Sequence, residues 1–254
     1  GEVAIVTGSS RGVGADIARV FAREGASVAV NYFKSKEKAD AVVVEINAAG
    51  PGRAIAVYGD VTKKTDMIDL VSVVQAAFGS SIHILVNNAL ADYQFNPTSK
   101  QASIETVEWD HFEGQLQGTL KGAVNAVQAL LPVFKAGSYG KVINIGTNLV
   151  YNPVVTYYDY TTAKAALVGL TRNLAAELGP SGVRVNLMAG GLLQTTDASS
   201  LTTDEVFGFV ASSTPLRTTT TVRAFAEACI FFAAPASDAV TGQSLSVDGG
   251  LTMP

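Results

Sequence analysis

The chain has 254 residues, 48% hydrophobic and 16% charged, with a formal net charge of −4. That balance excludes a disordered chain and argues against nucleic acid or an anionic membrane as the main partner. A single cysteine, Cys229, excludes an internal disulfide framework and any cysteine-based metal cluster, and reads as a small apolar residue on a helix.

In chain order, short β-branched runs alternate with stretches of helical spacing. Strands are predicted at residues 3–7, 27–32, 53–58, 82–87, 141–147, 183–188 and 244–247. Helices are predicted at 16–23, 36–48, 63–78, 107–134, 157–178 and 221–232. Continuous apolar strands separated by helices imply a doubly wound α/β fold, its parallel sheet covered on both faces. Glycine and proline breakers fall between the elements, as at Ala49-Gly50-Pro51-Gly52 and Gly179-Pro180-Ser181-Gly182. No linker or charge block divides the chain, which reads as one domain over residues 1–254. Residues 190–221 are rich in Ser and Thr with little periodicity and read as a mobile loop over a site. The first strand follows Gly1-Glu2 directly and no apolar run nears the ~18–20 residues of a membrane span, so a cytoplasmic protein without a targeting segment is expected.

Thr7-Gly8-Ser9-Ser10-Arg11-Gly12-Val13-Gly14 joins the first strand to the first helix. Glycines there let the backbone turn tightly against a pyrophosphate, and the N–H groups and dipole of the helix start attract the anion. The spacing is G-x-x-x-G-x-G rather than G-x-G-x-x-G, a longer turn. Further on, Tyr160 and Lys164 stand four residues apart and share one helix face. A nearby cation lowers a phenol's pKa and lets it exchange a proton with a reacting oxygen. The pair follows an apolar strand whose carboxyl end is where open α/β sheets bind ligands.

With Asp60-Val61, Asn87-Asn88-Ala89, Arg184-Val185-Asn186, Thr241-Gly242 and Val247-Asp248-Gly249-Gly250, these motifs make the chain similar to the short-chain dehydrogenase/reductase family over essentially its whole length. It most resembles the 3-oxoacyl-[acyl-carrier-protein] reductase branch. The resemblance implies a Rossmann fold with seven parallel strands in the order 3-2-1-4-5-6-7. It also implies hydride transfer between a nicotinamide and a carbonyl or alcohol. Tyr160 would be the acid/base, and Lys164 would hold the nicotinamide ribose. Asp60 would contact adenine, Asn87 would support the fourth strand and the cofactor, and Thr195 would meet the carboxamide. Gly8, Ser10, Arg11, Gly12, Val13, Gly14, Val61, Ala89 and Gly191 complete the implied cofactor contacts.

Several positions depart from the family pattern. The family serine 13 residues before the tyrosine is Thr147, which keeps a hydroxyl but stiffens χ1. The family asparagine on the long helix is Thr119, which cannot copy a carboxamide. Leu90 replaces a glycine after Ala89, and Gly190-Gly191 replaces Pro-Gly. Thr147 and Thr119 are kept as catalytic candidates, and the alternative function is a cofactor-binding homologue with little or no turnover.

Cofactor choice follows from charge. The family's acidic position after the second strand falls on Tyr32, and no acid follows before Glu37. Arg11, Lys34 and Ser35 would clamp a 2′-phosphate, so NADP(H) is expected, with NAD(H) as the alternative, and ketone reduction as the direction. Leu192, Leu193, Val206, Phe207, Phe209, Tyr93 and Phe95, with Tyr157 and Tyr158 shaping the pocket, suit a hydrophobic or acyl-like small molecule. Arg217 and Arg223 are the only cations between Gly190 and Phe225, a poor docking patch for an acidic carrier protein. His83 and His111 have no partner ligands and suggest no metal. Trp109, Phe112 and Phe134 read as packing residues. Gly114, Gly118 and Gly122 repeat every four residues and predict a close approach on one helix face, by the cofactor or by another backbone, the latter either in the chain's own sheet or between copies in a dimer or tetramer.

Overall fold

The computed structural model describes residues 1–90, 96, 99–194, 196–197 and 199–254. Its strands are β1 (Val3–Val6), β2 (Ser27–Tyr32), β3 (Arg53–Tyr58), β4 (Ile84–Asn87), β5 (Gly140–Thr147), β6 (Val183–Gly190) and β7 (Ser244–Val247). They form one sheet in the order β3-β2-β1-β4-β5-β6-β7, every neighbouring pair parallel, as the resemblance implies. The helices are α1 (Gly12–Arg23), α2 (Lys36–Ala49), α3 (Lys64–Phe78), α4 (Trp109–Leu116), α5 (Gly122–Gly137), α6 (Tyr158–Leu178), α7 (Asp204–Ser213) and α8 (Val222–Ala233). This is a Rossmann-type α/β architecture.

Side chains alternate across the sheet, so each strand feeds two cores. Ala4 and Val6 pack with Ile17 and Phe21 of α1 and Phe225 and Phe232 of α8. Val3 and Ile5 pack with Leu70 of α3, Leu130 and Phe134 of α5 and Leu178 of α6. Burial on both faces is why β1 and β5 read as apolar runs rather than alternating ones.

Three expectations are corrected. Residues 107–134 are not one regular α-helix: the helical run continues from Trp109 to Gly137, but a π-helical turn, Gln117–Lys121, shifts its register between α4 and α5. Gly114 and Gly118 both line the cleft, whereas Gly122 does not. A Cβ at Gly122 would lie 2.7 Å from Val61 Cγ2, whereas one at Gly114 would meet nothing within 4 Å. Residues 190–221 are not irregular throughout, since they contain α7. Thr203 caps it by accepting from the Val206 N–H at 3.4 Å, and Asp204 and Glu205 suit its positive end. None of the α7 residues is buried, so no core-facing periodicity marks it in the sequence. Trp109, finally, is 69% exposed and stacks on Phe112, while Phe134 is fully buried. Cys229 is buried on α8. No helix among the described residues is long and apolar enough to cross a membrane.

Candidate active site

A cleft of about 680 Å³ opens at the carboxyl ends of the strands, within the size range of small-molecule sites. Its floor at one end is the glycine turn. Gly8 and Gly12 have φ of +61° and +55°, and a Cβ on Gly8 would lie 2.8 Å from Ala89 Cα. Only glycine meets both demands at position 8. A Cβ on Gly14 would lie 2.5 Å from Asn88 Nδ2, so this glycine sets the contact between α1 and the end of β4. The N-cap of α1 is Arg11, which makes no side-chain cap, and the first turn holds no acid. The N–H groups at the start of α1 are thus open to an anion, which is what a dinucleotide pyrophosphate requires.

The strand ends hold this turn through side chains that the sequence reading overlooked. Asn31, near the end of β2, accepts from the Gly8 N–H at 3.0 Å and donates to the Gly59 carbonyl at 3.0 Å. Asn88 donates to the carbonyls of Thr7 and Gly8, and Thr7 Oγ1 accepts from the N–H groups of Asn88 and Ala89. Asparagines at two strand ends, Asn31 after Val30 and Asn88 in the Asn87-Asn88-Ala89 motif, were the available signal.

Gly8, Ser10, Arg11, Gly12, Val13, Tyr32, Lys34, Ser35, Asp60, Val61, Ala89 and Gly191 all line the cleft, as do Thr147, Tyr160 and Lys164. Asp60 accepts from both the N–H and hydroxyl of Thr62, fixing the turn after β3. Gly14, Asn87 and Thr119 do not line it. Asn87 instead donates to Asn144 Oδ1 at 2.9 Å, and Asn144 donates to Thr171 Oγ1, tying β4 through β5 to α6. Thr119 is buried in the π-helical turn, its hydroxyl without a hydrogen-bond partner among the described residues. Thr195, Tyr93 and Phe95 lie outside the described residues. Leu192, Leu193, Val206 and Tyr157 line the cleft, whereas Phe207, Phe209 and Tyr158 do not; Phe209 is an exposed outer residue of α7.

The reacting end is built where β5 stops and α6 starts. Tyr160 and Lys164 are both buried, and the Lys164 ammonium lies 5.9 Å from the centre of the Tyr160 ring. Lys164 donates to the Ile145 carbonyl at 2.6 Å, and burial pulls its pKa down to about 8. Burial also pushes the Tyr160 phenol up to about 12, against a hydrogen bond with Thr147 that works the other way. The expected lowering by the nearby cation is not seen: desolvation dominates, and the Thr147 hydrogen bond is what opposes it. Thr147 accepts weakly from the Leu149 N–H at 3.4 Å while facing the phenol. Behind it, Asn148 donates to Asp248 Oδ2 at 2.9 Å, and the same carboxylate oxygen accepts from the Thr252 hydroxyl at 2.7 Å and N–H at 3.0 Å. Gly191 packs on this clasp, since a Cβ there would lie 2.8 Å from Asp248 Cβ. The ends of β5, β6 and β7 are thereby locked together beside the phenol.

Arg11 does not stand alone at the other end. Its Nε is paired with Asp197 at 3.0 Å, both side chains being substantially exposed. Among the described residues no group of three His, Cys, Asp or Glu side chains is placed to hold a metal ion.

A sheet of this order, a glycine turn at a helix start and a buried tyrosine–lysine pair define a dinucleotide-binding oxidoreductase. A family model described as enoyl-(acyl carrier protein) reductase matches residues 8–252. The chain is 34% identical over 253 residues to the 3-oxoacyl-[acyl-carrier-protein] reductase FabG of Staphylococcus epidermidis, covering 98% of each. Among solved structures it is similar to gluconate 5-dehydrogenase from Burkholderia cenocepacia in complex with NADP and tartrate, with a TM-score of 0.87, 30% identity and coverage of 99% and 95%. It is also similar to 7α-hydroxysteroid dehydrogenase complexed with NADH and 7-oxoglycochenodeoxycholic acid, with a TM-score of 0.88, 30% identity and coverage of 98% and 94%. The chain belongs to the short-chain dehydrogenase/reductase family. It is an oxidoreductase acting on CH–OH/C=O groups.

Proposed function

We propose that the chain is an NADP(H)-dependent ketone reductase in which Tyr160 delivers a proton to the carbonyl oxygen. The observation that carries this reading is the buried group of Tyr160, Thr147 and Lys164 at the cleft floor. A phenol near 12 stays protonated at neutral pH, the state a general acid needs for reduction. A nicotinamide held in the cleft would supply the hydride for the carbonyl carbon. Thr147 hydrogen-bonds the substrate oxygen, Tyr160 protonates it to the secondary alcohol, and Lys164 would hold the cofactor's ribose with its ammonium. The relatives' names make a 3-oxoacyl thioester one candidate substrate.

The cofactor preference rests on charge: Arg11, Lys34 and Ser35 line the cleft, and no acid stands at Tyr32. One of the similar structures holds NADP and another NADH, so NAD(H) stays as the alternative. Residues 1–254 act as one domain with the loop at 190–221 over the substrate, in a cytoplasmic dimer or tetramer. The exposed Trp109–Phe112 stack on α4 supports contact between copies. The second reading is a homologue that binds cofactor with little or no turnover. It is favoured by Thr119, which stands outside the cleft where the family has its asparagine.

Separate titrations with NADPH and NADH, followed by nicotinamide fluorescence, test the first half of the proposal, and Tyr160→Phe tests the second. NADPH is expected to bind more tightly, and Tyr160→Phe to lose at least a hundredfold in kcat while keeping NADPH affinity. Tighter NADH binding overturns the cofactor assignment. A Tyr160→Phe variant as active as the parent overturns the mechanism.

A further inference from the structure

We propose that the ketone is an uncharged, apolar molecule that enters the cleft free, rather than a carboxylate or an acyl group on an acidic carrier protein. The inference rests on the reductase reading and names its substrate class.

The surround of the phenol is uncharged and largely hydrocarbon, with Thr147 the hydroxyl that faces it and Thr196, Ser199 and Thr202 lining the cleft beside the apolar side chains. Leu149, Tyr157 and Tyr160 pack as one buried cluster with Leu90 against it. Val154 and Val155 line the cleft from the segment entering α6 while 55% and 44% exposed, so they present apolar surface to whatever enters. Val206 and Val210, one turn apart on α7, line the cleft from above.

The cations are elsewhere. The lining residues of positive charge are Arg11 and Lys34, at the glycine turn and the end of β2, and Lys164, whose ammonium already donates to the Ile145 carbonyl at 2.6 Å. From Gly146 to Tyr157 and from Gly190 to Val210, the one charged lining residue is Asp197, a carboxylate. The residues that the structure does not describe contribute no cation either: 91–95, 97, 98, 195 and 198 include no Lys or Arg. A carboxylate drawn up to the phenol would be stripped of water with nothing to pair it.

The approach to the cleft repels anions as well. Gly114 of α4 lines the cleft, and Asp110, four residues before it, shares its helix face. Residues 99–118 hold Glu105, Glu108, Asp110 and Glu113 against Lys100, which is already bonded to Glu108 at 3.0 Å. Helix α7 opens with Asp204 and Glu205. An acidic carrier bearing a phosphorylated arm would meet like charge there, which opposes both encounter and docking.

Paired substrates isolate the charge. With NADPH held constant, kcat/KM is measured for 4-oxo acids against their methyl esters, and for a 3-oxoacyl group on N-acetylcysteamine against the same group on acyl carrier protein. The esters are expected to exceed the acids by at least tenfold. The value of kcat/KM should rise about fourfold for each methylene added until the cleft is filled. The N-acetylcysteamine thioester should equal or exceed the carrier-bound one. Val206→Arg, at a position 47% exposed, should shift the acid-to-ester ratio at least tenfold toward the acid. Calorimetric binding of the same pairs to NADPH-loaded Tyr160→Phe protein ranks them without turnover, so a failed reductase reading leaves this test intact. Esters binding more tightly support the proposal. Acids equal to or better than their esters, or a carrier thioester preferred tenfold, overturn it.

Discussion

Lys164 and Tyr160 show how burial sets the working state of each group. Desolvation favours the neutral form of both, which lowers the ammonium to about 8 and raises the phenol to about 12. The phenol therefore holds its proton throughout the physiological range, while the ammonium is present below pH 8 and lost above it. Ketone reduction is expected to be level below this pH and to fall about tenfold per unit as the pH rises beyond it. A pH profile of kcat/KM for the parent and for Lys164→Met checks this; the variant should be slower and lack the fall. At the other end of the cleft, Arg11 cannot meet a 2′-phosphate and Asp197 at once with the same geometry. The exposed pair is worth at most about 1 kcal/mol. Asp197→Asn is accordingly expected to tighten NADPH binding by up to about fivefold and leave NADH unchanged, as fluorescence titration would show.

At the scale of elements, the strand ends matter more than the strands. The turn between β1 and α1 is shaped by a left-handed Gly8 pressed against Ala89, and it is held by side chains from β2 and β4. Gly8→Ala combines a strained φ with a 2.8 Å approach to backbone, and the Ala89 segment has to move. At least tenfold weaker binding of both cofactors is expected, with a loss of about 1–3 kcal/mol in denaturant unfolding. Helix α7 is a different kind of element. It covers the cleft with Val206 and Val210, yet has no buried residue, so its packing adds little that opposes movement.

Across the whole molecule, the end of the sheet opposite the cleft is held by a second buried ammonium. Lys141, 1% exposed at the start of β5, donates to Asp238 at 2.6 Å, Ser237 Oγ at 3.0 Å and the Ala234 carbonyl at 3.2 Å. Asp238 is half exposed and remains hydrated if its partner is removed, and Ser237 keeps its bonds to the carbonyls of Phe232 and Ala234. Lys141→Met is therefore expected to lie within about 1 kcal/mol of the parent, whereas Lys141→Ala, which leaves a cavity, should lose about 2–4 kcal/mol in urea unfolding. The bond to Lys141 holds the Asp238 carboxyl below its ordinary range. The contribution of that pair is thus present above the unfolded carboxylate pKa and is lost as the pH falls through the folded value. Acid unfolding of the Met variant should show a shallower dependence there.

Local chemistry alone determined much of this protein. Apolar runs such as Val3–Val6, buried on both faces, marked the inner strands of a parallel sheet, and the glycines at 8, 12 and 14 between the first strand and helix marked a tight turn at a helix start. The four-residue spacing of Tyr160 and Lys164 fixed their shared face, and the run of motifs fixed the family. Other features depend on groups far apart in the chain. The split at Gln117–Lys121, the capped but unburied α7, the exposure of Trp109, the withdrawal of Thr119 from the cleft and the Asn148–Asp248 clasp each depend on contacts that no local pattern records. The same holds for the charge state of the site. A sequence spacing places an ammonium near a phenol, but only the folded surroundings decide how much water each has lost, and here that loss sets the direction of both shifts.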